Sequence, residues 1–477
     1  MRVSEYFQLG REQPALDFVD VDVFTDVPLF IDPRAIRLLR DDWGHECRAL
    51  IQNFFSAVLA ALRNNDTAKA RMLLEVLHEP NETHFGLSRG RAQGRGLGHG
   101  LATDVASALA KSEAMKSGLL QDLEDTILMV EGVASDIVSD ITTNIIREPL
   151  ARYTQYVCDQ YQIPTVEVAS GPIWNPHSED WEPAYLRQPQ AYKRKLLLVP
   201  KIIARRKMDY DPGEYYRDYI LQFLREMEMS SNSELVRLLK SGKRRVDTKD
   251  LMEKYGTGKK VIAGLTSQHP ELLEQYRADK ANRISPPLEH VDFAEAIGTD
   301  MPDWDGLLSA ATRLLCGEED ATAYHRAVER LLSVLFAGDL AWPCLEHPIH
   351  NGRKRIDITY TNVATRGFFH WLGRHYNAPY VFVECKNYSR DPQNPELDQI
   401  AGRFSERRGT FGIIVCRELR DRELFLNRCQ DTVKDNRGYI IPLDDTDLAN
   451  LVNEAKSDIR GDHSFISIRK YFDSLVM

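Results

Sequence analysis

The segment Tyr380-Val-Phe-Val-Glu-Cys-Lys-Asn387 reads as a buried β-strand whose far end places a carboxylate and an amine two residues apart. Side chains on a strand alternate between faces, so Glu384 and Lys386 share one side while Val381, Val383 and Cys385 share the other. Upstream, Cys344 to His350, the dipeptide Asn351-Gly352 and Arg353 to Tyr360 predict a β-hairpin closed by a tight turn of the primed kind. On its second strand Asp357 takes the face opposite Ile356 and Ile358. A helix over 321–336 precedes the hairpin. A helix over 396–407 and the apolar strand Thr410-Phe-Gly-Ile-Ile-Val-Cys416 follow the motif.

Asp357 followed by Glu384-x-Lys386, each on a strand and in this order of elements, resembles the PD-(D/E)xK nuclease superfamily. The resemblance covers the last third of the chain and implies the family's restriction-endonuclease-like α-β-β-β-α-β core. It also implies hydrolysis of a phosphodiester with Mg²⁺ or Mn²⁺, held by Asp357, Glu384 and the main-chain carbonyl of Cys385. Hard divalent ions prefer oxygen ligands, which suits paired carboxylates on adjacent strands. Such an ion lowers the pKa of its water and neutralises charge on phosphate oxygens, and the ammonium of Lys386 positions the water or steadies the transition state.

Many members of the superfamily carry a Glu on the first core helix. Glu329 matches it here, beside the apolar stripe Tyr324, Val328, Leu331, Leu332 and Leu335, with Glu346 on the first strand as a competing candidate. Gln399 matches a glutamine that several branches place near the lysine, although the aromatic Phe404 lies one position later than in the common Gln-x-x-x-Tyr pattern, so no branch is assigned. Arg353, Lys354 and Arg355 lie within a few residues of Asp357 and are the expected phosphate contacts.

The chain has 477 residues, too many for one ordinary core, and three regions are expected: a mixed, mainly helical 1–165, a helical domain and linker over 166–300, and the nuclease over 301–477. With 43% apolar and 28% charged residues it has a soluble, globular composition, with no apolar run near the roughly 20 residues that span a bilayer and no signal-peptide core at Met1-Arg-Val-Ser-Glu-Tyr6. Seven scattered cysteines without a Cys-x-x-Cys pair fit reduced thiols in a cytoplasm. The net charge of −10 sits awkwardly with a polyanionic substrate, so local clusters such as Lys240 to Arg245 and Arg403 to Arg408 must supply the attraction.

The first three hundred residues carry weaker signals. Phe18 to Phe24 looks strand-like, and helices are expected over 34–77 and 101–161 around a glycine- and arginine-rich loop, Ser88 to Gly100, that lacks a Walker ending. Asp17, Asp20, Asp22 and Asp26 read as edge-strand charge, with a second metal site as the alternative. Short helices at Thr248 to Tyr255 and Lys259 to Leu265 around Gly256 offer a helix-turn-helix candidate, and Asn282 to Trp304 reads as the linker into the last domain.

The expectation is an α+β or α/β multidomain chain, with a helix-rich N-terminal region on a C-terminal nuclease that cuts DNA. Architecture alone suggests a restriction or antiphage-defence effector, a homo-oligomer with an ATPase or helicase partner. A structure-selective repair nuclease and a non-cleaving DNA-binding or assembly subunit are the alternatives.

Overall fold

A computed structural model describes residues 1–86, 99–241, 243–283, 285–349, 354–458 and 461–477. The chain is mixed α and β, with buried apolar residues in two clusters, one drawn from Val3 to Phe293 and the other from Ala311 to Leu475. Among the described residues no helix is long and apolar enough to cross a membrane. The expected Ser88 to Gly100 loop falls almost wholly outside the described residues, as does the Asn351-Gly352 turn.

The C-terminal cluster is built on helix α1 (Ala321–Leu335) and strands β1 (Leu340–Ile349) and β2 (Lys354–Asn362). Helix α2 (Gly367–His375), strand β3 (Tyr380–Lys386), helix α3 (Asn394–Ala401) and strand β4 (Phe411–Cys416) follow, and then helix α4 (Arg422–Lys434) and strand β5 (Tyr439–Leu443). The five strands form one sheet in the order β5-β4-β3-β2-β1, antiparallel from β1 to β3 and parallel from β3 to β5. All of β4 is buried, as expected of a parallel strand covered on both faces.

Val383 pairs with Ile358 across β3 and β2, so these two and Tyr360 point to one face and Glu384 to the other. Helix α1 covers the Tyr360 face: the Tyr360 hydroxyl meets Ser333 and donates to the carbonyl of Glu329. Its apolar stripe of Tyr324, Val328, Leu331, Leu332 and Leu335 is buried as the spacing predicts. Helix α3 covers the Glu384 face, which brings Gln399 over β3.

Local differences from expectation have identifiable causes. Helix α2 interrupts the run of three strands; it begins at Gly367 with φ +68, where a Cβ would meet the His463 carbonyl oxygen at 2.2 Å. Helix α3 ends at Ala401 rather than continuing to residue 407, and the following turn carries Arg403 back toward β3.

Residues 165–191, expected within a helical region, form a long hairpin of Thr165–Asn175 and Asp180–Ala191. Trp174 and Trp181, cross-strand partners, pack against Phe54, edge-on and tilted, with ring centroids 5.0 and 5.4 Å away. Gly171, Pro172 and Pro183 break the period-two pattern there, and a bulge lies between Ala169 and Gly171.

Phe18 to Phe24 forms no strand, only isolated bridges such as Phe18 to Pro200. Its acids diverge to separate partners. Asp20 accepts from Ser4 and Asp22 from the N-terminal amine, whereas Asp17 accepts from the Trp342 amide and the Tyr153 hydroxyl. The helix-turn-helix candidate is two helices, Thr248–Tyr255 and Lys259–Gln268, and Lys259 donates back to the Val130 carbonyl. The expected linker contains the helix His290–Ile297, and Glu289 before it accepts from Arg366, which ties the segment to the C-terminal cluster.

Candidate active site

The far ends of β2 and β3 hold the expected residues together. Their registered pairing stops at Val383 and Ile358, and beyond it the Asp357 carboxylate accepts the Cys385 backbone N–H at 2.8 Å. Glu384, fully buried, accepts from Gln399 Nε2 at 2.7 Å and from Lys386 Nζ at 3.3 Å, both on Oε2. Lys386 also donates to Gln399 Oε1 at 3.1 Å, closing a three-membered ring of side chains. The other carboxylate oxygen of Glu384 has no hydrogen-bond partner and lies 3.7 Å from Arg403 Nε.

Burial, with the nearby Asp357 charge, pushes the Glu384 carboxyl up to about 7 despite Lys386 and Arg403. Burial also lifts the Cys385 thiol well above its ordinary range. A buried carboxyl with one orphaned oxygen, beside a second carboxylate, is the environment a cation would relieve.

A further group converges on Asp357. His325 of α1, Glu346 of β1 and Asp357 each present one ligand atom, and these atoms lie within 4.8 Å of one another. His325 Nε2 is 3.9 Å from Asp357 Oδ2, and His325 Nδ1 is 3.8 Å from Glu346 Oε1. Glu346 has φ +52 in the middle of a strand, between the pairs Leu345 with Ile358 and His347 with Ile356. A left-handed non-glycine residue there stores roughly 1–3 kcal/mol of strain, the kind that gathers at functional sites.

Two carboxylates and one imidazole suit a divalent ion of the first transition row, and Mn²⁺ satisfies both donor types better than Mg²⁺. The expected ligands Asp357 and Glu384 are thus divided. Asp357 belongs to the His325 and Glu346 group, Glu384 to the Lys386 and Gln399 ring, and Cys385 reaches Asp357 through its N–H.

His325 escaped the sequence reading. It stands four residues before Glu329, one helical turn along the same face, a spacing that fits a second site residue. Glu329 itself is engaged elsewhere: Arg11 of the N-terminal region grips both its carboxylate oxygens, one at 3.1 Å, and Ser333 donates to it at 2.9 Å. Arg355 is exposed, its guanidinium 3.7 Å from Glu346. Arg353 and the side chain of Lys354 lie outside the described residues.

His325 and Glu346 also floor a cleft of about 420 Å³ whose opposite wall comes from the N-terminal region. Residues 8–211, which supply that wall, match the model of a domain of unknown function, DUF8370. No curated protein and no solved structure matches the chain.

Proposed function

We propose that the chain is a metal-dependent DNA endonuclease of the PD-(D/E)xK kind, with Asp357, Glu384 and Lys386 as its central residues. The observation that carries this is the closed ring of Glu384, Lys386 and Gln399 beside Asp357, at the point where β2 and β3 part. The strand directions support the same fold: antiparallel up to the motif strand and parallel after it.

In this reading His325, Glu346 and Asp357 would hold the ion, with Glu384 next to them. A divalent cation bound there would supply Lewis acidity toward a phosphate oxygen and an acidified water. Lys386 is held at one position by two acceptors, so its ammonium is pre-organised to orient water and to meet negative charge as it grows on the phosphate. Gln399 ties the lysine to the carboxylate and keeps both side chains from swinging away.

The test is hydrolysis of supercoiled plasmid and of bis(p-nitrophenyl) phosphate with Mn²⁺, Mg²⁺ or EDTA. Metal-dependent hydrolysis that falls by a factor of about 100 or more in Asp357→Asn and Lys386→Ala is the expected result. Cutting that survives Asp357→Asn, or no metal-dependent hydrolysis of either substrate, refutes the reading.

A further inference from the structure

The cleft above His325 and Glu346 is built jointly by the two buried clusters. The C-terminal side contributes His325, Arg326 and Glu346, and the N-terminal side contributes Arg11, Tyr156 and the turn Gln160-Tyr161-Gln162 that ends the helix Arg147–Tyr161. Several contacts fix the two walls against each other. Tyr156 donates to the Pro343 carbonyl at 2.7 Å, Asp17 accepts from the Trp342 amide, and Arg11 pairs with Glu329. Gln162 sits at φ +55, which turns the chain at the rim.

A volume of about 420 Å³ lies in the range that encloses one small organic molecule, and it is far too narrow for a double helix. Its lining is sorted by chemistry. Tyr156 and Tyr161 are half-buried aromatics, the Tyr161 ring carrying the Arg11 guanidinium 5.3 Å over it. Gln160 and Gln162 offer exposed amides with both donors and acceptors, and Arg326 is an exposed cation on a lining that also holds the carboxylates of Asp17, Glu329 and Glu346. Aromatic faces for stacking, amides for base edges and a guanidinium for phosphate are the needs of a nucleotide out of its helix. Two of the three residues of the candidate metal group, His325 and Glu346, line the cleft, and the third, Asp357, has its carboxylate 3.9 Å from His325, so a nucleotide in the cleft has its phosphate beside that group.

We propose that this cleft receives a single unpaired nucleotide, and that the substrate class is DNA carrying unpaired nucleotides, at a flap, a single-stranded end or a flipped position, rather than intact duplex. This rests on the nuclease reading above. It also assigns a role to the N-terminal region, which completes a substrate site that the C-terminal sheet does not form alone.

The test compares a single strand, a flapped duplex and a blunt duplex of one sequence, with bis(p-nitrophenyl) phosphate in parallel, all with Mn²⁺. The wild-type chain should cut the single strand and the flap at least about tenfold faster than the blunt duplex, since only an unpaired base is free to stack in the cleft. Gln160→Trp, at an exposed position on the wall, fills the cleft and should lower the ratio of flap cutting to small-diester hydrolysis about tenfold or more. Arg326→Glu should lower the same ratio by opposing phosphate charge. Equal cutting of blunt and flapped DNA, or an unchanged ratio in both variants, overturns the proposal while small-diester hydrolysis leaves the metal site standing. Failure to hydrolyse the small diester as well removes the nuclease reading and this proposal together.

Discussion

Replacing Glu384 with glutamine should stabilise the metal-free chain at alkaline pH and lose that advantage in acid. Burial and the Asp357 charge place the folded carboxyl near 7 against an ordinary value of 4.5. At roughly 1.4 kcal/mol per tenfold change in affinity for the proton, the gap corresponds to about 3 kcal/mol. The sign follows from which state holds the proton. Between these two values the unfolded carboxyl is ionised while the folded one is still protonated, so the folded state binds more protons and stability falls as pH rises. The deficit is complete by about pH 8 and absent below about pH 4.5.

The amide that Glu384→Gln introduces cannot titrate. Any cost of that amide facing Arg403 is the same at both ends of the range. Urea denaturation in EDTA at about pH 4 and about pH 8 should therefore show the variant gaining about 3 kcal/mol on the wild type between the two conditions. A difference that stays constant with pH, or that favours the wild type at the higher pH, refutes the account of Glu384 as a carboxyl held against its charge.

Three further outcomes are expected. Arg11→Ala leaves the buried Glu329 carboxylate without its cation and should cost about 3–5 kcal/mol in urea denaturation, while the double variant Arg11→Met/Glu329→Leu recovers much of the loss. For His463, burial works against the charged form, but its hydrogen bonds to Asp339 and Glu289 outweigh this and raise it to about 10. The stabilising effect is therefore full below the ordinary 6.5 and lost as pH rises through 10, so the destabilisation in His463→Gln should be largest just below about pH 6.5 and shrink toward about pH 10. Glu346→Gly relieves the left-handed strain and should raise stability by about 1 kcal/mol, yet weaken Mn²⁺ binding in calorimetry at least about tenfold, a trade that a merely structural Glu346 would not show.

Much of the C-terminal architecture follows from local pattern. The apolar run ending in Glu-Cys-Lys makes β3 a buried strand, and the period of two alone puts Glu384 and Lys386 on one side. The stripe from Tyr324 to Leu335 specifies helix α1, and the proline and capping-box Glu396 near the start of α3 fix where that helix begins. In the hairpin at 165–191, glycine and prolines blur the alternation, and the strands are recovered through pairing with each other and packing of Trp174 and Trp181 against Phe54. No local signal carries that partner, because Phe54 lies on a helix more than a hundred residues away.

The amino-acid pattern alone determined which residues share a strand face and which helix faces are apolar, since both depend only on backbone periodicity. Tertiary packing decided the rest of the site. His325 and Glu346 meet Asp357 because α1 lies across the sheet and β1 carries a left-handed residue at Glu346, and Arg11 reaches Glu329 from more than three hundred residues away. Such convergence depends on how whole elements bury their apolar faces against one another, a global balance of area and chain entropy that no short window of sequence contains.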